Sequence, residues 1–115
     1  MKLYKIAAIP GDGIGPEVLN EGIKVLNKIA ELDDTLQFEF TYLPWGCKYY
    51  LTHGYMMPDN GIELLKNFDA IFLGAVGSPN VPDHISLWDL LLTIRKQFDQ
   101  YVNLRPVKLL RGAPC

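Results

Sequence analysis

The period of the apolar positions changes several times along the chain, and each change predicts an element. Leu3 to Ile9 (LYKIAAI) is a short apolar run closed by Pro10-Gly11. It reads as a buried strand, because parallel strands are apolar on both faces. Val18, Gly22, Val25, Leu26 and Ile29 follow at helical spacing, behind Pro16 and Glu17, which suit a first turn. They predict a helix to about Glu31 with these residues as its apolar face. Leu36 to Leu43 (LQFEFTYL) alternates apolar and polar residues, which predicts a second strand with one face buried. A short helix is expected over Trp45 to Leu51, broken at His53-Gly54. Asp59 is placed to cap a further helix through Ile62, Leu65 and Lys66, with Glu63 near its positive end. Phe68 to Ala75 (FDAIFLGA) predicts a third strand, ending in Gly74-Ala75-Val76-Gly77.

Ser78 to His84 is a loop rich in proline and polar residues. Beyond it, Leu87, Leu90, Leu91, Ile94 and Phe98 predict an amphipathic helix from Ser86 to Gln100, with Ser86 as N-cap and Asp89 three residues on. YVNLRPV, which follows, is β-branched and aromatic and predicts a fourth strand and its exit at the proline. The order is β-α-β-α-β-α-β. The expected fold class is α/β, a mostly parallel sheet flanked by helices. Ligands gather at the carboxyl ends of such strands, and the PGDGIG and GAVG ends are expected on one edge. So few strands leave a sheet edge and several helix faces uncovered, so the sheet is expected to be incomplete without downstream chain or another copy. No repeat or low-complexity stretch interrupts residues 1–115, which read as one partial domain.

Composition narrows the classes of function. Of 115 residues, 49% are apolar and 21% charged, ordinary for a globular protein. A net charge of −2 argues neither for a nucleic-acid footprint nor for a membrane surface, and neither partner is expected. No apolar run approaches the ~20 residues of a membrane span. Met1-Lys2 leads straight into a strand, without the apolar stretch of a signal peptide. Cys47 and Cys115 make no metal-ligand spacing, and a reducing cytoplasm is the expected setting.

The chemistry-bearing residues allow more than one reading. Strand, glycine loop and helix invite a dinucleotide fingerprint, yet the third glycine of G-D-G-I-G comes one residue too early. Glu39, inside its strand, is the only acidic residue offered for a ribose contact. The competing reading is a plain tight turn, with the Asp12 carboxylate ordering that turn. His84 beside Asp83 invites a general-base role, against which stands a hydrogen-bonded loop histidine. His53 reads as a turn residue, and Met56, Met57 and Pro58 as loop packing. Arg95 and Arg105 stand at the end of the last helix and in the strand that follows. A chain folding back after Gln100 can return one guanidinium beside the other, a fork pair suited to a dicarboxylate. The alternative is that Arg95 lies on a solvated helix face and Arg105 is a surface charge.

The stretch LLLTIRKQFDQYVNLRPV, with the pattern L-x-x-R-K-x-x-D-x-Y-x-N-x-R-P-V, resembles the β-decarboxylating dehydrogenases, which act on isopropylmalate, isocitrate, and tartrate or D-malate. PGDGIGPE is a hallmark of the same family, and the resemblance covers essentially the whole chain. VPDHISLW and FDQYVNLRP look most like the tartrate/D-malate branch, and isopropylmalate enzymes usually carry a glutamate where this chain has Trp88. The resemblance implies the N-terminal part of an isopropylmalate dehydrogenase-like fold, which is not the Rossmann fold. It implies an enzyme that oxidises and decarboxylates a small 2-hydroxy dicarboxylate with NAD and Mg²⁺ or Mn²⁺. Arg95 and Arg105 would bind substrate carboxylates; Ile14, Gly77 and Trp88 would contact the cofactor. The family's catalytic lysine and tyrosine, a third arginine and the metal-binding aspartates match nothing in this chain. Family members run about three times this length, so the resemblance implies the N-terminal third of a homodimeric enzyme; without those residues it is expected, taken alone, to be inactive. Isopropylmalate dehydrogenase and a non-catalytic nucleotide- or acid-binding module are the alternatives.

Overall fold

Parallel pairing sets the architecture, described for residues 1–114 in a computed structural model. Strand β1 (Lys2–Gly11) lies between β2 (Leu36–Tyr42) and β3 (Ala70–Ala75), in the order β2-β1-β3. β2 runs beside β1 from Lys2↔Leu36 to Ala8↔Tyr42, and β3 from Ile6↔Ala70 to Gly11↔Ala75. β3 thus begins halfway along β1 and reaches its carboxyl end. Asp69 sets that start: its N–H donates to the Lys5 carbonyl, and its carboxylate accepts the Lys5 N–H at 2.8 Å. Flanked on both sides, β1 buries Ile6, Ala7, Ala8 and Ile9, the continuous apolar part of its run beyond Lys5. Edge strand β2 keeps the expected alternation, with Phe38 and Phe40 half-buried and Glu39 and Thr41 exposed.

Alternation along β1 divides the core between the two faces of the sheet. Ala8 meets Leu19 and Ile23 of helix α1 (Gly15–Leu32), with Phe40 and Phe72 around them. Ala7 and Ile9 join the larger cluster of Trp45, Cys47, Met56, Leu65, Leu90 and Ile94. That opposite layer contains α2 (Cys47–His53), α3 (Gly61–Leu65) and the last helix. No helix among the described residues is long and apolar enough to cross a membrane.

Three details differ from the sequence expectation. Helix α1 is rotated by part of a turn: Gly22 faces the sheet and Leu26 is half-buried, as the spacing predicts, but Leu19 and Ile23 are buried whereas Val18, Val25 and Ile29 are exposed. Gly15 and Gly22 set this rotation, because a Cβ on Gly22 would lie 2.5 Å from the Phe72 ring and one on Gly15 2.1 Å from the Pro10 carbonyl. Asp59 does not cap α3; Asn60 stands at the N-cap and makes no side-chain cap bond. Ser86 is not an N-cap either. The last helix starts earlier as α4 (Asp83–Ser86), because Pro82 takes extended backbone and its carbonyl accepts the N–H groups of Ile85 and Ser86. Ser86 is buried one turn in, its hydroxyl donating to the Asp83 carbonyl.

This helix then widens into a π-helical segment (Leu87–Leu92) and returns as α5 (Thr93–Gln97). It ends in a left-handed cap. Asp99 has φ 52°, its N–H donates to the Lys96 carbonyl, and the Gln100 N–H donates to the Arg95 carbonyl. The fourth strand does not form: residues 101–110 are all exposed and belong to no sheet. Strand backbone needs a partner ladder, and neither edge of the three-strand sheet supplies one here.

The rotation of α1 is directly testable. Leu19→Ala should cost about 2–5 kcal/mol of stability in denaturant titration, whereas Val25→Ala should stay within about 0.5 kcal/mol. Equal losses would restore the face read from the spacing.

Candidate functional site

The ends of β1 and β3 are joined backbone to backbone. Gly11 pairs with Ala75, and the Asp12 N–H donates to the Ala75 carbonyl at 2.6 Å. No side chain fits at Gly11, where φ is +75° and a Cβ would sit 1.8 Å from the Ala75 oxygen. The Gly15 N–H then donates to the Asp12 carbonyl at 2.8 Å, closing the turn into α1. Because β2 and β3 flank β1 on opposite sides, the strand order reverses at this edge, where open α/β sheets take ligands.

The Asp12 side chain gathers three segments. Its two oxygens accept the Cys47 N–H, each at 3.0 Å, and Oδ1 also accepts the Lys48 N–H at 3.3 Å. Oδ2 accepts the Gly77 N–H at 3.1 Å, from the loop after β3. The carboxylate thus serves α2 as a cap supplied from a distant loop, in place of a local side-chain cap. The expected role, ordering its own turn, is corrected: backbone bonds close the turn, and the carboxylate reaches across to two other segments. Gly46 leaves the space, since with φ +149° a Cβ there would lie 3.0 Å from Asp12 Oδ1.

Electrostatics follow from this geometry. Burial pushes the Asp12 carboxyl up, but the N–H groups of Cys47 and Gly77, the Cys47 thiol and the Lys48 N–H together outweigh it, holding the group below its ordinary 3.8. Burial and the neighbouring Asp12 charge push the Cys47 thiol up to about 11. Cys47 is a protonated, buried donor and no nucleophile. Cys115 lies outside the described residues.

The residues singled out in the sequence fall into separate groups. Ile14 is exposed at the start of α1, and exposed Gly77 is tied to Asp12, so both flank the switch edge. Trp88, 62% exposed in the π-helical segment, and half-buried Arg95 line one hollow of about 600 Å³ with Leu92, Lys96 and Tyr101. Arg105 does not line it. Its guanidinium is exposed and donates to the Asn103 side chain at 3.4 Å, on the segment that forms no strand. His84 lies in the first turn of α4 rather than in a loop, exposed and without a hydrogen bond to its ring among the described residues. His53 stacks on Tyr49 with ring centres 4.1 Å apart. Among the described residues no group of three His, Cys, Asp or Glu is placed to hold a metal ion. Sequence reasoning missed the Gly46–Cys47 end of the Asp12 network. Its one signal is a helix opening Gly-Cys, with no Ser, Thr, Asp or Asn of its own to cap it.

The family model for isocitrate/isopropylmalate dehydrogenases matches residues 5–115. The tartrate dehydrogenase/decarboxylase of Pseudomonas putida is 60% identical, over 97% of this chain and 31% of that protein. The decarboxylating D-malate dehydrogenase of Escherichia coli K12 is 59% identical, over 100% of this chain and 32% of that protein. The chain therefore spans about a third of the length of these relatives. The apo crystal structure of a β-decarboxylating dehydrogenase from Thermococcus kodakarensis superposes with a TM-score of 0.63 at 31% identity. It covers 85% of this chain and 27% of that one.

The Asp12 network carries a pH signature. A carboxyl held below 3.8 in the fold contributes stability above that value and loses it as pH falls through the lowered one. Asp12→Asn should cost about 1–3 kcal/mol near neutral pH and clearly less at about pH 2, by denaturant titration at both. A deficit equal at both would remove the ionised carboxylate from the account.

Proposed function

This chain belongs to the isocitrate/isopropylmalate dehydrogenase family, and we propose that it is the N-terminal part of an enzyme that oxidises and decarboxylates tartrate or D-malate. The observation that carries the reading is the 59–60% identity to tartrate and D-malate enzymes along nearly the whole chain. It includes the Arg95–Arg105 stretch, and Trp88 stands where isopropylmalate enzymes usually carry glutamate. The cofactors of this reading are NAD and Mg²⁺ or Mn²⁺, and the active form is a cytoplasmic homodimer of which residues 1–115 form one partial domain.

The roles follow from charge and position. Arg95 and Arg105 neutralise and orient substrate carboxylates, with planar forks that hold a carboxylate through paired hydrogen bonds. Arg95 already shares a hollow with Trp88, whose flat indole bounds the space on one side. Arg105 completes the pair once residues 101–110 gain a strand partner from the rest of the enzyme. Trp88 contacts the dinucleotide from the last helix, and Ile14 and Gly77 contact it from the switch edge; when bound it supplies the hydride acceptor. Both have the room this needs: Ile14 is 63% exposed, and nothing lies within 4 Å of where a Gly77 Cβ would be. In this reading the divalent cation is held by aspartates outside residues 1–115, and it would polarise the substrate oxygen there.

With NAD and Mn²⁺, the full-length protein should prefer D-malate or tartrate in a panel of 2-hydroxy acids; preference for isopropylmalate would move it to that branch. Purified residues 1–115 should show no turnover, and metal-dependent NADH production by them would overturn that expectation. Arg95→Met and Arg105→Met should each lower kcat/KM by roughly two to three powers of ten, by leaving a substrate carboxylate unpaired. Lysine at either position should rescue only partly. Melting temperature and NAD affinity should change little. Kinetics within a few-fold of wild type in both variants would return the two arginines to ordinary surface charges.

A further inference from the structure

Among the described residues, Asp12 is the one side chain whose hydrogen bonds tie together the loops after β1 and β3 and the start of α2. The glycines around it divide into two kinds. At Gly11, Gly15 and Gly74 a Cβ would strike backbone, so these glycines serve packing. Gly77 is different. It has φ +143°, nothing lies within 4 Å of its missing Cβ, and it faces open space at the switch edge. Val76 before it packs against the larger core cluster, but Gly77 has no side chain to hold its own position. Its N–H has one acceptor among the described residues, Asp12 Oδ2 at 3.1 Å.

We propose that Asp12 is a positioning residue for the dinucleotide: its carboxylate fixes Gly77, and the loop after β3, against the loop that carries Ile14. The inference rests on the reading of Ile14 and Gly77 as cofactor contacts, and adds to it the group that sets their separation. Three observations make Asp12 suited to this. The Cys47 and Lys48 N–H groups anchor the carboxylate to the start of α2, so it cannot follow Gly77 if the loop moves. Glycine at 46 keeps the space the carboxylate occupies. Both oxygens accept, Oδ1 from Cys47 and Lys48 and Oδ2 from Cys47 and Gly77. An asparagine, with one acceptor and one donor, therefore breaks the network in either orientation. A preformed separation lowers the ordering cost of binding, so its loss should appear in dinucleotide affinity first.

The test compares the full-length protein with its Asp12→Asn variant, by hydrogen exchange and by NAD titration with steady-state kinetics. The Gly77 amide, and those of Val76 and Ser78 beside it, should exchange about tenfold faster in the variant, and Kd and KM for NAD should rise about tenfold. kcat and KM for the dicarboxylate should stay within about threefold, a split that general destabilisation does not produce. If Asp12→Asn does not fold, Gly46→Ala, which keeps the carboxylate but crowds it, should show the same split. Faster exchange or a lower melting temperature with unchanged NAD affinity would overturn the positioning role while leaving the cofactor reading intact. Wild-type protein that binds no dinucleotide would defeat the cofactor reading itself, and the positioning role with it.

Discussion

The contact between the ends of β1 and β3 is the constraint on which the rest of this structure depends. Gly11 and Ala75 meet so closely that not even a methyl group fits between them. Just beyond, Gly15 and Gly74 both press on the Pro10 carbonyl. The closeness fixes where α1 begins and which of its faces meets the sheet, so Leu19 and Ile23 are buried and their neighbours are not. It also sets the Asp12 side chain at the meeting point of three segments, within reach of Cys47, Lys48 and Gly77. Packing at the sheet end and polar order at the ligand edge have one geometric cause.

The polar network has a balanced electrostatic design. Donated N–H groups keep Asp12 ionised despite burial, and the resulting negative charge keeps the neighbouring thiol protonated. A half-buried carboxylate without such donors would be raised and partly neutral. Here it remains an acceptor across the ordinary pH range. Cys47, one of the buried residues of the larger core cluster, is correspondingly inert.

The last helix shows how packing and exposure can be reconciled in one element. Leu90 and Ile94 fill the core beneath the sheet, while Trp88 and Arg95 open onto a hollow on the outer side. The π-helical widening lies between the helix start and Arg95, with the Thr93 hydroxyl donating to the Trp88 carbonyl. π-helical turns of this kind recur at functional sites, because the altered winding re-aims the side chains that follow. Beyond the helix, Tyr101, Val102, Leu104 and Val107 are exposed, an apolar surface that the three-strand sheet leaves uncovered. In the proposed enzyme the remaining chain covers it and brings Arg105 to the substrate.

Patterning alone determined the α/β class, three of the strands and the side of the sheet on which each glycine-flanked strand end lies. Those features follow from local periodicity, which a one-dimensional chain displays in full: the apolar run IAAI closed by Pro10-Gly11 means a buried strand wherever it is placed. The same reading placed Gly22 and Leu26 toward the sheet but took Val18, Val25 and Ile29 in place of Leu19 and Ile23, because apolar residues occur on both sides of that helix. Only the Gly15 and Gly22 contacts, made with residues far along the chain, choose between them. A fourth strand was legible as propensity in YVNLRPV but did not form, since a strand exists through its partner and not through its own residues. The paired arginines depended on that strand and were separated with it. Asp12 was visible as a turn residue. That its carboxylate caps a helix 35 positions away and holds a glycine 65 positions away is a fact of tertiary structure, because hydrogen bonds between distant segments leave no period in the sequence.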